Sequence, residues 1–276
     1  MSSDYGANWT ILNMTETTYG MVCSSDGRYL YRFHKYNRVD ISYDFGASFT
    51  SVTPSALSSG TPVFGDCSTT GQHVMFYTTT GYFFISRDYG QTWTRRSEDT
   101  SFSVGSIAPD GSAVACCRYG NYAQTAKFYS NSLSNEANWG IRNFTSIDMG
   151  LNGGNYYTVF TVGDRYVYRA ANLGSTLNSG DNGSTAICLG AACSNNGLYQ
   201  YSARQGLTIG KSSNSGSTWV NTTSPSRNWY EISCDSTGQY VVATSSYGVA
   251  HSTNYGVSWT EFVLSGIGYT RPFVCR

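Results

Sequence analysis

One eight-residue pattern returns along this chain, and it constrains the fold more than any other feature. Its marked positions are Ser2, Asp4, Gly6 and Trp9; Ser42, Asp44, Gly46 and Phe49; Ser86, Asp88, Gly90 and Trp93; Ser179, Asp181, Gly183 and Ala186; Ser212, Asn214, Gly216 and Trp219; and Ser252, Asn254, Gly256 and Trp259. A decayed copy spans Asn135 to Trp139. A unit this short cannot bury its own apolar side, so its copies stack into one array with a shared core.

From the anchor at Trp9 to Phe49, Trp93, Trp139, Ala186, Trp219 and Trp259 the steps are 40, 44, 46, 47, 33 and 40 residues. That is the length of a four-stranded blade. Turns with Gly at the end alternate with the boxes, at Ser25 to Gly27, Thr70-Gly71, Asp110-Gly111, Asn196-Gly197 and Thr237-Gly238. Each precedes a run of β-branched, aromatic or other apolar residues, the signature of hairpins between short strands. With 30 glycines, 23 tyrosines, 5 prolines and no long helical periodicity, the chain reads as all-β and as one domain.

Charged residues make up 12% of the chain and balance to a formal net charge of zero, against roughly 25% in a typical soluble protein. The surface is therefore expected to be neutral and polar. Three lysines and fourteen arginines are scattered, with Arg95-Arg96 the only adjacent pair, which argues against nucleic acid as a partner. No apolar run approaches a membrane span, and the first residues lack the basic and apolar segments of a signal peptide. No membrane insertion is expected.

The pattern Ser-x-Asp-x-Gly-x-x-Trp resembles the Asp-box, or BNR repeat, of sialidases, xyloglucan-cleaving glycoside hydrolases, sortilin-type receptors and photosystem assembly propellers. The resemblance covers nearly the whole chain and implies a β-propeller. It also implies that the box is structural and lies between the third and outermost strands of a blade. The residues suit that role: Asp4, Asp44, Asp88, Asp181, Asn214 and Asn254 can accept turn N–H groups, and the following Gly supplies an unusual backbone angle. Trp9, Trp93, Trp219 and Trp259 would then cover an apolar face.

Inner strands are expected to end near Cys23, Cys67, Ile107, Val159, Cys193, Cys234 and Cys275. The corresponding repeats are 11–53, 54–97, 98–144, 145–187, 188–223 and 224–264, with 265–276 joining 1–10. Seven blades are expected, the seventh reduced and closed by the two termini; six blades, or completion by another copy of the chain, is the alternative. Self-association or a larger assembly stays open.

Five of the eight cysteines fall at repeat-equivalent positions, so their side chains should point the same way round the array and not converge into disulfides. They are expected as small buried thiols. Cys116, Cys117 and Cys188 retain the option of pairing. Without a CxxC motif, and with three scattered histidines, neither a metal site nor any other cofactor is expected. Glycosylation triplets occur at Asn8, Asn13, Asn143, Asn182 and Asn221, but a chain this rich in Asn, Ser and Thr yields several by chance; it is the weakly charged surface rich in Tyr, Asn and Ser that leans, on composition alone, toward an extracellular or virion exterior.

A sialidase-type enzyme would need three arginines around a carboxylate, a Tyr with a Glu partner and an Asp; Arg165, Arg227, Glu231 and Asp235 are the available candidates. The first arginine of that family lies in an N-terminal motif, whereas the nearest string here is Tyr269 to Pro272 at the other end. General glycoside hydrolysis needs two carboxylates facing one bond. Outside the boxes and turns the acids are Asp40, Asp66, Asp148, Asp164, Asp235, Glu16, Glu98, Glu136, Glu231 and Glu261. No catalytic residue emerges. What recurs is an aromatic or polar segment where inner strands begin, with Tyr19, Tyr156, Tyr157, Arg227, Trp229, Tyr230, Glu231, Tyr269 and Arg271 as candidate ligand contacts around a channel mouth. The expected function is non-catalytic recognition or scaffolding, with a glycan or a protein as partner; the alternative is a glycoside hydrolase or lyase.

Overall fold

The computed structural model describes residues 18–34, 37–55, 57, 60–96, 102–118, 123–127, 144–162, 166–171, 177–180 and 186–263. Among these, six antiparallel sheets follow one another in chain order. The first holds β1 (Thr18–Cys23), β2 (Leu30–His34), β3 (Val39–Ser42) and β4 (Thr50–Val52). The second holds β5 (Pro62–Cys67), β6 (Val74–Thr78), β7 (Phe83–Ser86) and β8 (Thr94–Arg96). The third comprises β9 (Phe102–Ile107), β10 (Ala113–Arg118) and β11 (Ala123–Lys127). In the fourth are β12 (Phe144–Asn152), β13 (Asn155–Val162), β14 (Val167–Ala171) and β15 (Leu177–Gly180). The fifth contains β16 (Cys188–Cys193), β17 (Gln200–Arg204), β18 (Gly210–Ser212) and β19 (Val220–Asn221), and the sixth β20 (Trp229–Cys234), β21 (Val241–Ser245), β22 (Gly248–Ser252) and β23 (Thr260–Val263). Every sheet is a meander in which sequence neighbours pair.

The boxed turns join third to fourth strands in the first, second, fifth and sixth sheets, and one hydrogen-bond scheme builds all four. In the first, Ser42 Oγ donates to Asp44 (2.7 Å) and accepts from Gly46 N (2.8 Å), while Ser48 donates from both N and Oγ to the same carboxylate (2.9 and 2.6 Å). The second sheet repeats it with Ser86, Asp88, Gly90 and Thr92. Where Asn replaces Asp, the last bond reverses: Asn214 Nδ2 donates to Thr218 Oγ1 and Asn254 Nδ2 to Ser258 Oγ. The glycine is not alone in the left-handed region. Phe45, Tyr89, Ser215 and Tyr255, one residue earlier, sit at φ of 55 to 59°, a conformation costly for side chains with a Cβ and held here by the bonds on either side.

Hydrophobic clusters lie between sheets. Tyr31, Phe33 and Ile41 pack on Val74 and Phe76; Met75, Tyr77 and Ile85 on Ile107, Val114 and Cys116; and Ala113, Ala115 and Cys117 on Met149, Tyr168 and Ala170. Val159 and Val167 meet Cys188 and Cys193, and Tyr201 and Ile209 meet Trp229, Cys234 and Val241. Five successive junctions are thus apolar. A second device repeats with them: a side chain opening the second strand rests on the turn glycine of the next sheet, in Tyr29 on Gly71, His73 on Gly111, Tyr157 on Gly197 and Tyr199 on Gly238. A Cβ on any of these glycines would lie within 3 Å of that ring residue.

Two readings from the sequence need correction. In the fourth sheet the inner strand is β12, so the residue equivalent to Cys67 is Met149, and Val159 belongs to the second strand, opposite Asp148. The hairpin turns at Gly153-Gly154. Likewise Ser179 lies inside the fourth strand β15, so the string through Asp181 and Ala186 follows that strand instead of preceding it. The interval between β14 and β15 carries a weaker match in Ala170, Asn172, Gly174 and Leu177. Anchoring there replaces the uneven steps of 47 and 33 residues with 38 and 42.

Candidate recognition face

The innermost strands β1, β5, β9, β12, β16 and β20 jointly line one cavity of about 90 Å³, far below the roughly 300–1,000 Å³ of small-molecule pockets. Three carboxylates line it, those of Asp66, Asp148 and Glu231. Two of them stitch sheets together. Asp66 accepts from its neighbour Cys67 N (2.8 Å) and, across the junction, from Ile107 N (2.9 Å) and Ser106 Oγ (2.8 Å). Asp148 accepts from Met149 N (2.8 Å) and from Cys193 N of the following sheet (2.7 Å). These acids hold backbone N–H groups that a narrow channel would otherwise leave dry.

One end of the channel is closed by its own turns. Ser25 N donates to Thr69 O, Thr69 N to Pro109 O, Leu151 N to Asn195 O and Asn195 N to Ser236 O, at 2.5 to 2.9 Å. Asn195 Nδ2 also reaches Thr69 Oγ1 at 3.1 Å, joining the second and fifth sheets across the axis. Tyr156 and Tyr157 belong to this end: Tyr156 Oη meets Ser112 Oγ at 2.8 Å, and Tyr157 covers Gly197. They do not join the other candidates.

At the opposite end all six inner strands among the described residues carry a bulge, with Tyr19, Val63, Ser103, Thr145, Leu189 and Tyr230 as the extra residues. A bulge re-aims side chains at a strand end, and here six occur around one rim. Tyr19 is 44% exposed, and Ile187 and Tyr247 also face solvent. Arg227 lies over the Tyr247 ring at 4.7 Å and bridges Glu261 at 3.2 Å. Tyr230 and Glu231 are half-buried beside them. Trp229 is fully buried in the junction with the fifth sheet, its Nε1 donating to Pro225 O at 3.2 Å, so it presents no stacking face. Tyr269 and Arg271 lie outside the described residues, as do Asp4, Trp9 and Asp181. Tyr247 and Ile187 are rim residues that sequence reading missed; both sit just outside the strand starts, where no periodicity marks them.

Two buried charged groups approach the same end. Asp40 accepts from Arg32, Arg38 (3.1 Å) and Ser51 Oγ (2.7 Å), and His34 Nε2 lies 2.7 Å from it. Burial alone would raise its carboxyl, but the Arg32 and Ser51 hydrogen bonds and the neighbouring cations hold it at about 2. Arg204, 1% exposed, donates to Thr208 O (2.8 Å) and Asn221 Oδ1 (2.7 Å), neutral acceptors both. Among the described residues no group of three or more His, Cys, Asp or Glu could hold a metal ion, and no helix is long and apolar enough to cross a membrane.

No protein-family description matches this chain, and no curated protein matches it by sequence. Solved structures do. YCF48 bound to D1 peptide superposes with a TM-score of 0.67 over 91% of this chain and 83% of that chain, at 15% identity. YCF48 from Cyanidioschyzon merolae gives 0.62 over 88% and 96%, at 14% identity. The fold is a β-propeller. The sheets described above belong to its blades, the turn-capped end is one mouth of its channel, and the rim of bulges is the other.

Proposed function

We propose that this propeller is a non-catalytic recognition module whose partner is a protein, met at the open mouth. One observation carries the reading: the channel is sealed by turns at one end, and Asp66 and Asp148 within it are committed to backbone N–H groups, which leaves the rim with Tyr19, Tyr230, Tyr247 and Ile187 as the accessible surface. Exposed aromatics beside an Arg–Glu pair suit protein contacts. A YCF48 propeller has been seen with a D1 peptide bound, which supports a peptide-reading role for a similar fold. Asp40 and Asp235 are likewise occupied, the first by its cations and the second by Thr237 and Tyr240 of its own turn. A glycosidase pair has no free members among these acids.

The repeats belong, in this reading, to Asp-box propellers with a closing seventh unit formed from the two ends of the chain. Hydrophobic clusters join each blade to the next from the first to the sixth, but none among the described residues joins the sixth to the first. The face of the first blade that turns away from the second carries His34, Asp40 and Ser42, all nearly fully buried.

A peptide array and a glycan array, run beside a panel of chromogenic glycosides, test the function. Peptide binding without turnover is expected. Glycan binding alone would favour the sugar-reading alternative, and glycoside cleavage would refute the non-catalytic reading.

A further inference from the structure

The first and fifth blades put different side chains at the same positions of one repeat. Cys23 and Cys193 end their inner strands opposite Leu30 and Gln200; Cys193 is the expected buried thiol, whereas Cys23, against expectation, is disulfide-bonded. From that anchor the register makes Ser202 the counterpart of Arg32, Arg204 of His34, Gly210 of Asp40 and Asn221 of Ser51. In the first blade the carboxylate is the hub, and Arg32, His34 and Ser51 all meet Asp40. In the fifth blade the hub is a glycine.

The side chains around that glycine still call for a negative charge. Arg204 is 1% exposed, and a guanidinium keeps its proton in proteins. Its Nε and Nη2 donate to Thr208 O, Thr208 Oγ1 and Asn221 Oδ1, all neutral, and Nη1 donates to nothing among the described residues. Ser202 precedes it by two residues on the same face of β17, is fully buried, and has a hydroxyl without a hydrogen-bond partner among the described residues. Both flank Gly210: a Cβ built there would run into Ser202 Oγ and lie 3.3 Å from Arg204 Cζ. The backbone does not demand this glycine, which opens β18 outside the left-handed region. A buried cation with neutral partners alone, beside an unmet hydroxyl, is costly until a counter-charge joins it.

We infer that the fifth blade binds a small inorganic monoanion of halide size over Gly210, between Ser202 and Arg204, in the place that the Asp40 carboxylate fills in the first blade. Ser202 Oγ, turning about one bond, and Arg204 Nη1 donate to it. One negative charge balances one guanidinium. The site lies within a blade and is independent of what docks at the open mouth.

Melting in sodium chloride, compared with sodium gluconate at equal ionic strength, tests it, with Gly210→Asp and Arg204→Met as variants. Chloride at about five times its Kd should raise the native midpoint by about 2–4 °C over gluconate. Gly210→Asp brings its own carboxylate to Arg204 and should melt alike in both salts; so should Arg204→Met, which has no charge to balance. Equal native midpoints in the two salts, the result for a site that holds only water, would overturn the inference, as would a chloride effect that persists in both variants. Should either variant fail to fold, native crystals soaked in bromide decide: an anomalous peak beside Arg204 and Ser202 is expected, and bromide found only at exposed side chains refutes the site.

Discussion

Trp229, Tyr230 and Glu231 open the same inner strand, and the bulge between Trp229 and Glu231 decides which of them reaches solvent. A sequence shows that an aromatic starts a strand but not where an extra residue resets the alternation, so Trp229 reads as surface and folds as core. Replacing Trp229 by Ala should cost about 3–5 kcal/mol, as large-to-small changes in cores do, with denaturant unfolding as the measure; a midpoint close to that of the native protein would show the ring to be a dispensable cap. Acid tests the charged residues. Ser48 holds the Asp44 carboxyl, and the Arg32 cluster that of Asp40, at about 2, below the unfolded value near 4. Their stabilisation is thus complete above about pH 4 and lost as pH falls toward 2. Burial also lowers His34, His73 and His251; with folded values below the unfolded value near 6.5, their contribution is complete above it and fades as pH falls. Melting temperatures should therefore be level above about pH 7, decline gently below it and steeply below pH 4. A midpoint unchanged between pH 7 and pH 2 would contradict both assignments.

At the scale of elements, the boxes were the legible part. The bonds of Ser42, Asp44, Gly46 and their counterparts are local, with one N–H per turn reaching a carbonyl outside it, as Phe45 N does Arg28 O, so a short string carries most of the instruction. The positive φ of Phe45 and Tyr89 was illegible because aromatic residues rarely adopt it. The misplaced box at Asp181 had left its trace in the irregular spacing, and Gly153-Gly154 marks the hairpin that identifies β12 as the inner strand. The stitches were hidden for a different reason: Asp148 and Cys193 are distant in sequence, and nothing in either residue's surroundings announces the pair. Asp148→Ala would leave the N–H groups of Met149 and Cys193 without their acceptor, at about 1–3 kcal/mol each. Asp235→Ala, in a half-buried turn whose bonds stay within one hairpin, should cost less, about 1 kcal/mol. Equal losses from the two variants in chemical unfolding would show that the channel carboxylate does not stitch blades.

Among the described residues the molecule is an array whose sheets meet at apolar junctions, four of them with a turn glycine under an aromatic ring, and whose two mouths differ. One is occupied by its own backbone; the other presents aromatic side chains on bulged strands. That asymmetry was not legible in the sequence, since it depends on Thr69 and Asn195 meeting across the axis from different blades. It yields the most direct test. With a peptide selected on the array, affinity should be compared for Tyr230→Ala and Tyr247→Ala at the open rim and Leu198→Ala at the sealed end, each checked for an unchanged fold by circular dichroism. The rim variants should bind about tenfold or more weakly, the loss expected when a contact residue worth 1.4 kcal/mol or more is removed, while Leu198→Ala binds as the native protein does. Loss confined to Leu198→Ala, with both tyrosine variants binding normally, would place recognition on the wrong mouth and contradict the account.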